Sequence, residues 1–338
     1  MNLYTVNFLT IFFLTVIISF FFSKKKILLN FSGSDHQKFT NSSQVPLIGG
    51  LIIFFTIIFF VPFFNIIEKI AFTLILMAGL LSDLKFLNSP SIRLFLQLII
   101  IISFLTLGNL YLVNTKLFFL DLLLKNYFFA IFFTAFCFLI IINGSNFLDG
   151  INIVVIGYYL SIALIFLILK EKNLVFLDNI SLINIIIALL VLFFFNLLNK
   201  IYLGDNGSYL LGFLYSLILV KFYINNTFIS PFFIIMLLWY PGFENLFSIF
   251  RRKFSDRSLA KPDIRHLHQL IYHYFKKKSS FKNKLFVNNF SGFLIITYNF
   301  IMMFCSSFFI LDTKVLLFII FFNITLYCSI YKLLSKKS

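Results

Sequence analysis

Long apolar blocks separated by short polar segments dominate the chain. The apolar blocks are each roughly 20 residues long, which is the length that a helix needs to cross a bilayer core. The pattern therefore predicts an all-α polytopic membrane protein with about 11 transmembrane helices. The predicted spans cover residues 3–22, 46–65, 67–82, 93–113, 126–143, 151–169, 180–199, 207–223, 229–250, 287–307 and 314–332.

Composition supports this fold class. Of the 338 residues, 61% are hydrophobic and only 12% are charged, and a soluble domain could not bury so much apolar surface. Cys137, Cys305 and Cys328 fall inside separate apolar blocks, so they predict neither a disulfide framework nor a zinc site. We interpret residues 1–338 as one integral membrane domain, in which 251–285 is the sizeable extramembrane loop.

The distribution of basic residues predicts the orientation. With the N-terminus outside and the C-terminus in the cytoplasm, about three quarters of the 28 Lys and Arg residues fall on the inner side, as the positive-inside rule requires. The formal net charge of +16 then lies mostly on a cytoplasmic face suited to anionic lipids and anionic substrates. The chain has no soluble basic domain, so a nucleic-acid partner is not expected.

Stretches rich in polar residues lie on this predicted cytoplasmic side, whereas the outer loops are short and contain no comparable stretch. Such residues are also what ordinary loops between helices contain, so one stretch alone would favour the loop interpretation. The asymmetry among all the loops instead favours a polar site at one membrane surface. The stretches are QVPLIGG (44–50), LLSDLKFLNSPSIRLFLQ (80–97), NGSNFLDG (143–150), YLGDNGSYLLG (202–212) and RRKFSDRSLAKPDIRHLHQL (251–270).

Three carboxylates lie close to predicted span ends, where ionisable groups are costly. Asp83, Asp149 and Asp205 could share a divalent cation, and hard oxygen ligands suit Mg²⁺, which also bridges substrate phosphates. The GDNGS sequence has two interpretations. Its glycines and aspartate could form a phosphate site at a helix N-terminus, or Ser208 could simply cap the next helix.

The 251–285 loop combines basic residues with a His-x-His pair. No third ligand lies at zinc-binding spacing, so Arg257, His266 and His268 fit an anion such as a diphosphate better than a metal. The alternative is a basic tether for lipid headgroups. On a helix, the two histidines would point about 200° apart, so both reach one ligand only if the segment is extended or irregular. Pro262 makes an irregular entry plausible.

The five stretches, in this order, resemble the motifs of the polyprenyl-phosphate N-acetylhexosamine-1-phosphate transferases. These multi-spanning enzymes start the synthesis of bacterial cell-envelope glycans on a lipid carrier. PLIGG resembles the family's Pro-x-x-Gly-Gly, and NGSNFLDG resembles its Asn-x-x-Asn-x-x-Asp-Gly. GDNGSYLLG is similar to its Gly-Asp-x-Gly-Ser motif, and the HLH loop is similar to that of the UDP-N-acetylhexosamine branch.

The resemblance implies an inner-membrane enzyme with a cytoplasmic active site. It would transfer N-acetylhexosamine 1-phosphate from a UDP-sugar, by default UDP-N-acetylglucosamine, to polyprenyl phosphate. Mg²⁺ is the implied cofactor, with Mn²⁺ as an alternative, and membrane lipid and a second copy of the chain are further candidate partners. The implied metal contacts are Asn146 and Asp205. The implied catalytic residues are Asp83, Asp149, Asp205 and His266, and the implied substrate-binding residues are Asn143, Asn146, Asp149, Arg257, His266 and His268.

Departures from the family pattern leave a rival open. Ser82 stands where the first aspartate of an Asp-Asp pair is expected, Ile153 replaces a glycine, and Gln269 follows His268 where another histidine is common. The alternative to a transferase is a non-catalytic or transport protein for lipid-linked sugars on the same scaffold. That rival predicts polar groups at mid-bilayer depth, whereas here they gather near span ends.

Overall fold

The computed structural model describes residues 2–30, 44–171, 174, 177–254, 265–278 and 283–336. Within these ranges the secondary structure consists of 14 α-helices and isolated β-bridges, without a β-strand. The helices are α1 (Leu3–Lys25), α2 (Gly49–Phe60), α3 (Ile66–Asp83), α4 (Pro90–Leu107), α5 (Phe118–Leu124), α6 (Tyr127–Leu148), α7 (Val154–Glu171), α8 (Asn179–Leu197), α9 (Gly204–Asn225), α10 (Pro231–Leu237), α11 (Trp239–Phe254), α12 (Leu267–Lys278), α13 (Lys284–Ser306) and α14 (Thr313–Ser335).

The all-helical, multi-pass architecture is confirmed. In the described part of the chain, seven helices are long and apolar enough to cross a membrane: α1, α4, α6, α8, α9, α13 and α14. The α10–α11 pair qualifies as an eighth span, although it is bent by 76° at the break between the two helices. The apolar helices α2 and α7 are shorter. Each predicted span coincides with a helix or with this bent pair, but the count of 11 and the orientation stay predictions.

Two helices have no counterpart among the predicted spans. Helix α5 is short and lies in the loop between the fourth and fifth predicted spans. Helix α12 lies within the predicted 251–285 loop, with its buried residues in the first half and its basic residues in the last turn. Neither helix has an apolar run long enough to reveal it in a search for membrane spans.

Helix α9 lies at the centre of the bundle. Every residue from Asn206 to Val220 is buried, and α9 packs against α2, α3 and α6. Its apolar residues surround the helix on all sides, which is the pattern of a fully enclosed helix. The predicted start of this span at residue 207 was three residues late, because the polar first turn at Gly204 lowers the local hydropathy.

Glycine allows the closest of these helix contacts. A Cβ atom on Gly79 of α3 would lie 2.3 Å from the Cα atom of Asn206 on α9. Small residues allow helix backbones to approach in membrane proteins, where packing rather than the exclusion of water joins the helices. The approach brings the polar residues at the C-terminal end of α3 and the N-terminal end of α9 within hydrogen-bonding distance.

We expect Gly79→Ala to lower the stability of the protein by about 1–3 kcal/mol, the usual cost of overpacking. The added methyl group must push α3 away from the backbone of α9, because backbone atoms cannot rotate aside. Thermal unfolding of the purified protein in detergent measures the loss. Gly242→Ala on α11 is the matched control, since its Cβ would meet no atom closer than 3.5 Å. Equal melting temperatures for the two variants would contradict the close approach.

Candidate functional site

The N-terminus of α9 is held by a carboxylate from another helix. Gly204 adopts a left-handed conformation with φ +74°, which turns the chain into the first helical turn. The amides of Asp205 and Asn206 donate to the two carboxylate oxygens of Asp83, at 2.9 and 3.0 Å. Asp83 therefore accepts two of the unpaired amides at the start of α9, and the alternative in which Ser208 caps this helix is wrong. Ser208 instead donates to the Asp205 carbonyl oxygen, at 3.3 Å.

The Asp205 carboxylate joins three of the polar stretches. Its Oδ2 atom accepts hydrogen bonds from Ser82 at 2.5 Å and from Arg93 at 2.9 Å. Its Oδ1 atom accepts from the side-chain amide of Asn146 at 2.6 Å. Arg93 also donates to the Ser82 hydroxyl at 2.8 Å, so Ser82 bridges the guanidinium and the carboxylate. The structure thus brings Asp205 and Asn146 together, as the resemblance implied.

The first polar stretch is tied to the same turn. The Asn206 side chain donates to the Leu47 carbonyl oxygen at 2.9 Å, and the Gly49 amide donates to the Tyr202 carbonyl oxygen at 3.1 Å. A Cβ atom on Gly50 would overlap Asn206. The Pro-x-x-Gly-Gly stretch therefore supports the backbone of the Gly-Asp motif and contributes no acidic or basic side chain to it.

Asp149 and Asn143 occupy the two ends of the same polar stretch. Asp149 follows α6, and the Gly204 amide donates to its carboxylate. Burial raises the pKa of the Asp149 carboxyl well above its usual value, and the negative charges of Asp205 and Asp83 raise it further. Asn143 lies one helical turn from Asn146 and donates to Gln97 at 3.0 Å. Its side-chain amide also donates to the Leu139 carbonyl oxygen at 2.9 Å. A role of Asn143 in substrate binding stays a prediction.

The two histidines lie together beside this polar stretch. His266 precedes the first residue of α12, and its ring stacks on the His268 ring at 5.5 Å with an interplanar angle of 7°. His266 lies before the helix and His268 lies in its first turn, which allows the two rings to lie side by side. Phe147 contacts the His266 ring at 5.1 Å, and a Cβ atom on Gly150 would lie 3.0 Å from His268 Nε2. Arg257, the remaining predicted residue of this loop, lies outside the described residues.

A residue that the sequence analysis missed holds His266. The His266 Nδ1 atom lies 2.9 Å from a carboxylate oxygen of Glu244, which is fully buried in α11. Tyr327 of α14 donates to the other oxygen of Glu244 at 2.7 Å. The sequence contains an indication that Glu244 has a partner, because it is an acid in the apolar run 229–250, where an unpaired charge is costly. No comparable signal identified Tyr327.

The arrangement fits a divalent cation at Asp205 and Asn146, rather than a cage of three carboxylates. Among the described residues, no group of three or more His, Cys, Asp and Glu side chains is placed to hold a metal. Both oxygens of Asp83 accept amides of α9, so this carboxylate already has hydrogen-bond partners at the start of that helix. The Asp205 Oδ1 atom and the Asn146 amide face one another, and rotating that amide would present two adjacent oxygens. Mg²⁺ is commonly held by one or two protein oxygens with the remaining positions taken by water and phosphate.

Taken together, the fold and the site define a polytopic membrane protein in which carboxylate, amide and guanidinium side chains meet at one end of the helical bundle. Residues 66–223 match the model of glycosyl transferase family 4. These residues include the Asp83, Asn146 and Asp205 motifs. The match covers a little under half of the chain and supports the resemblance predicted from the motifs.

Three proteins similar to this chain are all named as undecaprenyl-phosphate N-acetylglucosaminyl 1-phosphate transferases, one of them as probable. An undecaprenyl-phosphate alpha-N-acetylglucosaminyl 1-phosphate transferase of Thermotoga maritima is 28% identical over 286 residues, covering 83% of this chain and 84% of that protein. A protein of the same name from Escherichia coli O157:H7 is 29% identical, covering 80% and 77%. A probable undecaprenyl-phosphate N-acetylglucosaminyl 1-phosphate transferase of Bacillus subtilis is 29% identical over 133 residues, 39% of this chain and 37% of that protein.

Proposed function

We propose that the protein transfers N-acetylglucosamine 1-phosphate from UDP-N-acetylglucosamine to undecaprenyl phosphate, releasing UMP. The observation that carries the proposal is the meeting of Asp205, Asn146 and Arg93 at the first turn of α9. That turn combines a carboxylate for a metal ion with a guanidinium for phosphate. The relatives that cover most of the chain are both named for this transfer. The rival of a non-catalytic or transport protein is not favoured by those names.

In the proposed reaction, an ionised oxygen of the lipid phosphate attacks the phosphorus that carries the sugar. The bond between that phosphorus and the oxygen bridging to UMP breaks, and UMP leaves with the electron pair. A lipid phosphate is already largely ionised at neutral pH, so the attack needs no protein base. This explains how a serine at position 82 is compatible with activity, since Ser82 in this chain orients Asp205 and Arg93. Catalysis then depends on positioning and on neutralising charge.

In the proposed site, some residues bind the metal ion and others bind the UDP-sugar. Asn146 and Asp205 would hold Mg²⁺, or Mn²⁺ in its place, and the bound ion would neutralise charge on the donor diphosphate. Asp83 keeps the first turn of α9 in place for that purpose. The remaining predicted contacts with the UDP-sugar are Asn143, Asp149, Arg257, His266 and His268.

The membrane setting proposed for this site follows from the basic residues. The chain would cross the bacterial inner membrane 11 times, counting the bent pair α10–α11 as one span and α2, α3 and α7 as spans. The N-terminus would lie outside and the first turn of α9 at the cytoplasmic surface, where UDP-sugars are available. The isoprenoid tail would lie against the apolar helices, and a homodimer is compatible with this arrangement.

The decisive experiment incubates the purified protein with labelled UDP-N-acetylglucosamine, Mg²⁺ and undecaprenyl phosphate. We expect a labelled lipid product and a stoichiometric release of UMP, and chelation of the metal should stop both. Replacing the donor by other UDP-N-acetylhexosamines identifies the preferred sugar. If no UDP-N-acetylhexosamine yields a labelled lipid, the proposal is wrong.

For Asn146→Ala we expect a modest rise, about tenfold, in the Mg²⁺ concentration that gives half-maximal activity. The substitution removes one neutral oxygen ligand and leaves the charged ligand Asp205 in place. The measurement is a Mg²⁺ titration of the transfer reaction. Asn126→Ala is the control, because Asn126 is also a helix-associated asparagine but caps the distant N-terminus of α6. An unchanged Mg²⁺ requirement in Asn146→Ala would remove Asn146 from the metal site.

A further inference from the structure

A buried hydrogen-bonded chain connects the last helix to the histidine pair. Tyr327 on α14 donates to Glu244 at 2.7 Å, and the other oxygen of Glu244 lies 2.9 Å from His266 Nδ1. Glu244 is fully buried and His266 is 4% exposed, so water does not take the place of these partners. Removing one member of such a buried pair leaves the other polar group without its partner, so the two groups hold each other in one arrangement.

A second contact lies one helical turn further along α14. Tyr331 accepts a hydrogen bond from Arg251 of α11 at 2.6 Å, and the Tyr327 and Tyr331 rings stack at 6.2 Å. The same guanidinium nitrogen of Arg251 donates to the carbonyl oxygen of Arg265. Because Arg265 directly precedes His266, α14 supports both the backbone before the histidine and the imidazole itself.

We propose that Glu244 is a positioning residue for His266, and that Tyr327 holds Glu244 in place, so that α14 is part of the support of the donor site. This inference rests on the proposed function in one respect, namely that His266 contacts the UDP-sugar. A carboxylate only accepts hydrogen bonds, so Nδ1 of the imidazole carries its hydrogen towards Glu244. Nε2 is then the ring nitrogen left to contact a ligand, and the ring cannot turn without breaking the buried pair.

The residues involved lie outside the matched family region, which ends at residue 223. The geometry therefore assigns a function to a part of the chain in which only the HLH loop had been singled out. It also accounts for an acid in the middle of an apolar helix, because Glu244 is satisfied by His266 and Tyr327 together.

The kinetic test uses Glu244→Gln, Glu244→Leu and Tyr327→Phe. A hydrogen bond to a charged group corresponds to roughly a tenfold to hundredfold change in an equilibrium constant. We expect Glu244→Gln to raise the KM for UDP-N-acetylglucosamine about tenfold, Glu244→Leu to raise it further, and Tyr327→Phe to raise it less. The KM for undecaprenyl phosphate should change less than about twofold, because that substrate does not depend on His266 for binding in this proposal.

Two controls separate positioning from general damage. Tyr298→Phe removes a tyrosine hydrogen bond from α13 to Asn323, which also lies on α14 but does not contact Glu244. It should leave both KM values unchanged, although it too removes a hydrogen bond that holds α14. Combining Glu244→Gln with His266→Ala should be no worse than His266→Ala alone, since Glu244 acts through that ring. Additive losses in the double variant would overturn the proposal.

A readout that needs no turnover separates this proposal from the proposed function. In protein labelled with ¹⁵N-histidine, the His266 signal, assigned from its loss in His266→Ala, should show a protonated Nδ1 in the wild type and in Tyr298→Phe. Glu244→Leu should change that signal. If the wild type is inactive but this change occurs, the positioning stands and the proposed function fails. If Glu244→Leu leaves the His266 signal unchanged, the positioning proposal is wrong.

Discussion

Asp205→Asn should abolish metal-dependent turnover, with a loss of at least about a hundredfold in kcat, while the protein remains folded. Asparagine has the shape of aspartate but lacks the anionic oxygen that would hold the ion opposite Asn146. It also loses the charge that pairs with Arg93 at 2.9 Å. The fold should persist because the first turn of α9 is held by Asp83 through backbone amides, which the substitution keeps.

The measurement is the rate of lipid-product formation across Mg²⁺ concentrations, together with the melting temperature in detergent. Asp312→Asn is the matched control, since Asp312 caps α14 by accepting the amides of Lys314 and Val315, a task that asparagine performs equally well. This control should keep both activity and stability. Near-normal activity of Asp205→Asn at every Mg²⁺ concentration would mean that the metal is held elsewhere.

The second large effect is expected for His266→Ala, with a loss of about tenfold to a hundredfold in kcat/KM for the UDP-sugar. The substitution removes the proposed donor contact and leaves the buried carboxylate of Glu244 without its imidazole partner. His268→Ala should cost less. Although its ring stacks on His266, Glu244 forms its hydrogen bond with His266.

Lys277→Ala is the control for the His266 and His268 series. Lys277 is exposed in the last turn of α12, where a basic residue acts on the surface charge and does not reach the histidine pair. It should keep nearly full activity. Equally small effects of all three substitutions would make the loop a basic surface tether, with the UDP-sugar held by the other four polar stretches.

The helical spans could be predicted from the sequence because hydropathy is a local property. An apolar block of roughly 20 residues must hydrogen-bond its own backbone in a bilayer, so it becomes a helix whatever its neighbours are. The grouping of polar stretches towards one end of the bundle followed from the same reasoning. The meeting of Asp205 with Asn146 came from the resemblance of the motifs and agrees with the observed contact at 2.6 Å.

The roles of Asp83 and Ser82 required the tertiary structure. Asp83 looked like a third metal ligand, yet its oxygens accept two amides of α9, and the serine in place of an aspartate became a bridge between Arg93 and Asp205. Ser82 and Asp205 are 123 residues apart in the chain. No local pattern reveals such a partner, because it depends on how closely α3 approaches α9.

The sequence by itself therefore determined that the chain is an all-helical membrane protein with its unusual chemistry at the span ends. Only the tertiary structure decided which polar groups share hydrogen bonds. Glu244 shows the difference most clearly, since its position in an apolar run indicates that a partner must exist, without indicating which. Helix packing selects His266 and Tyr327 as those partners, because a buried carboxylate is stable only where donors from other helices reach both of its oxygens.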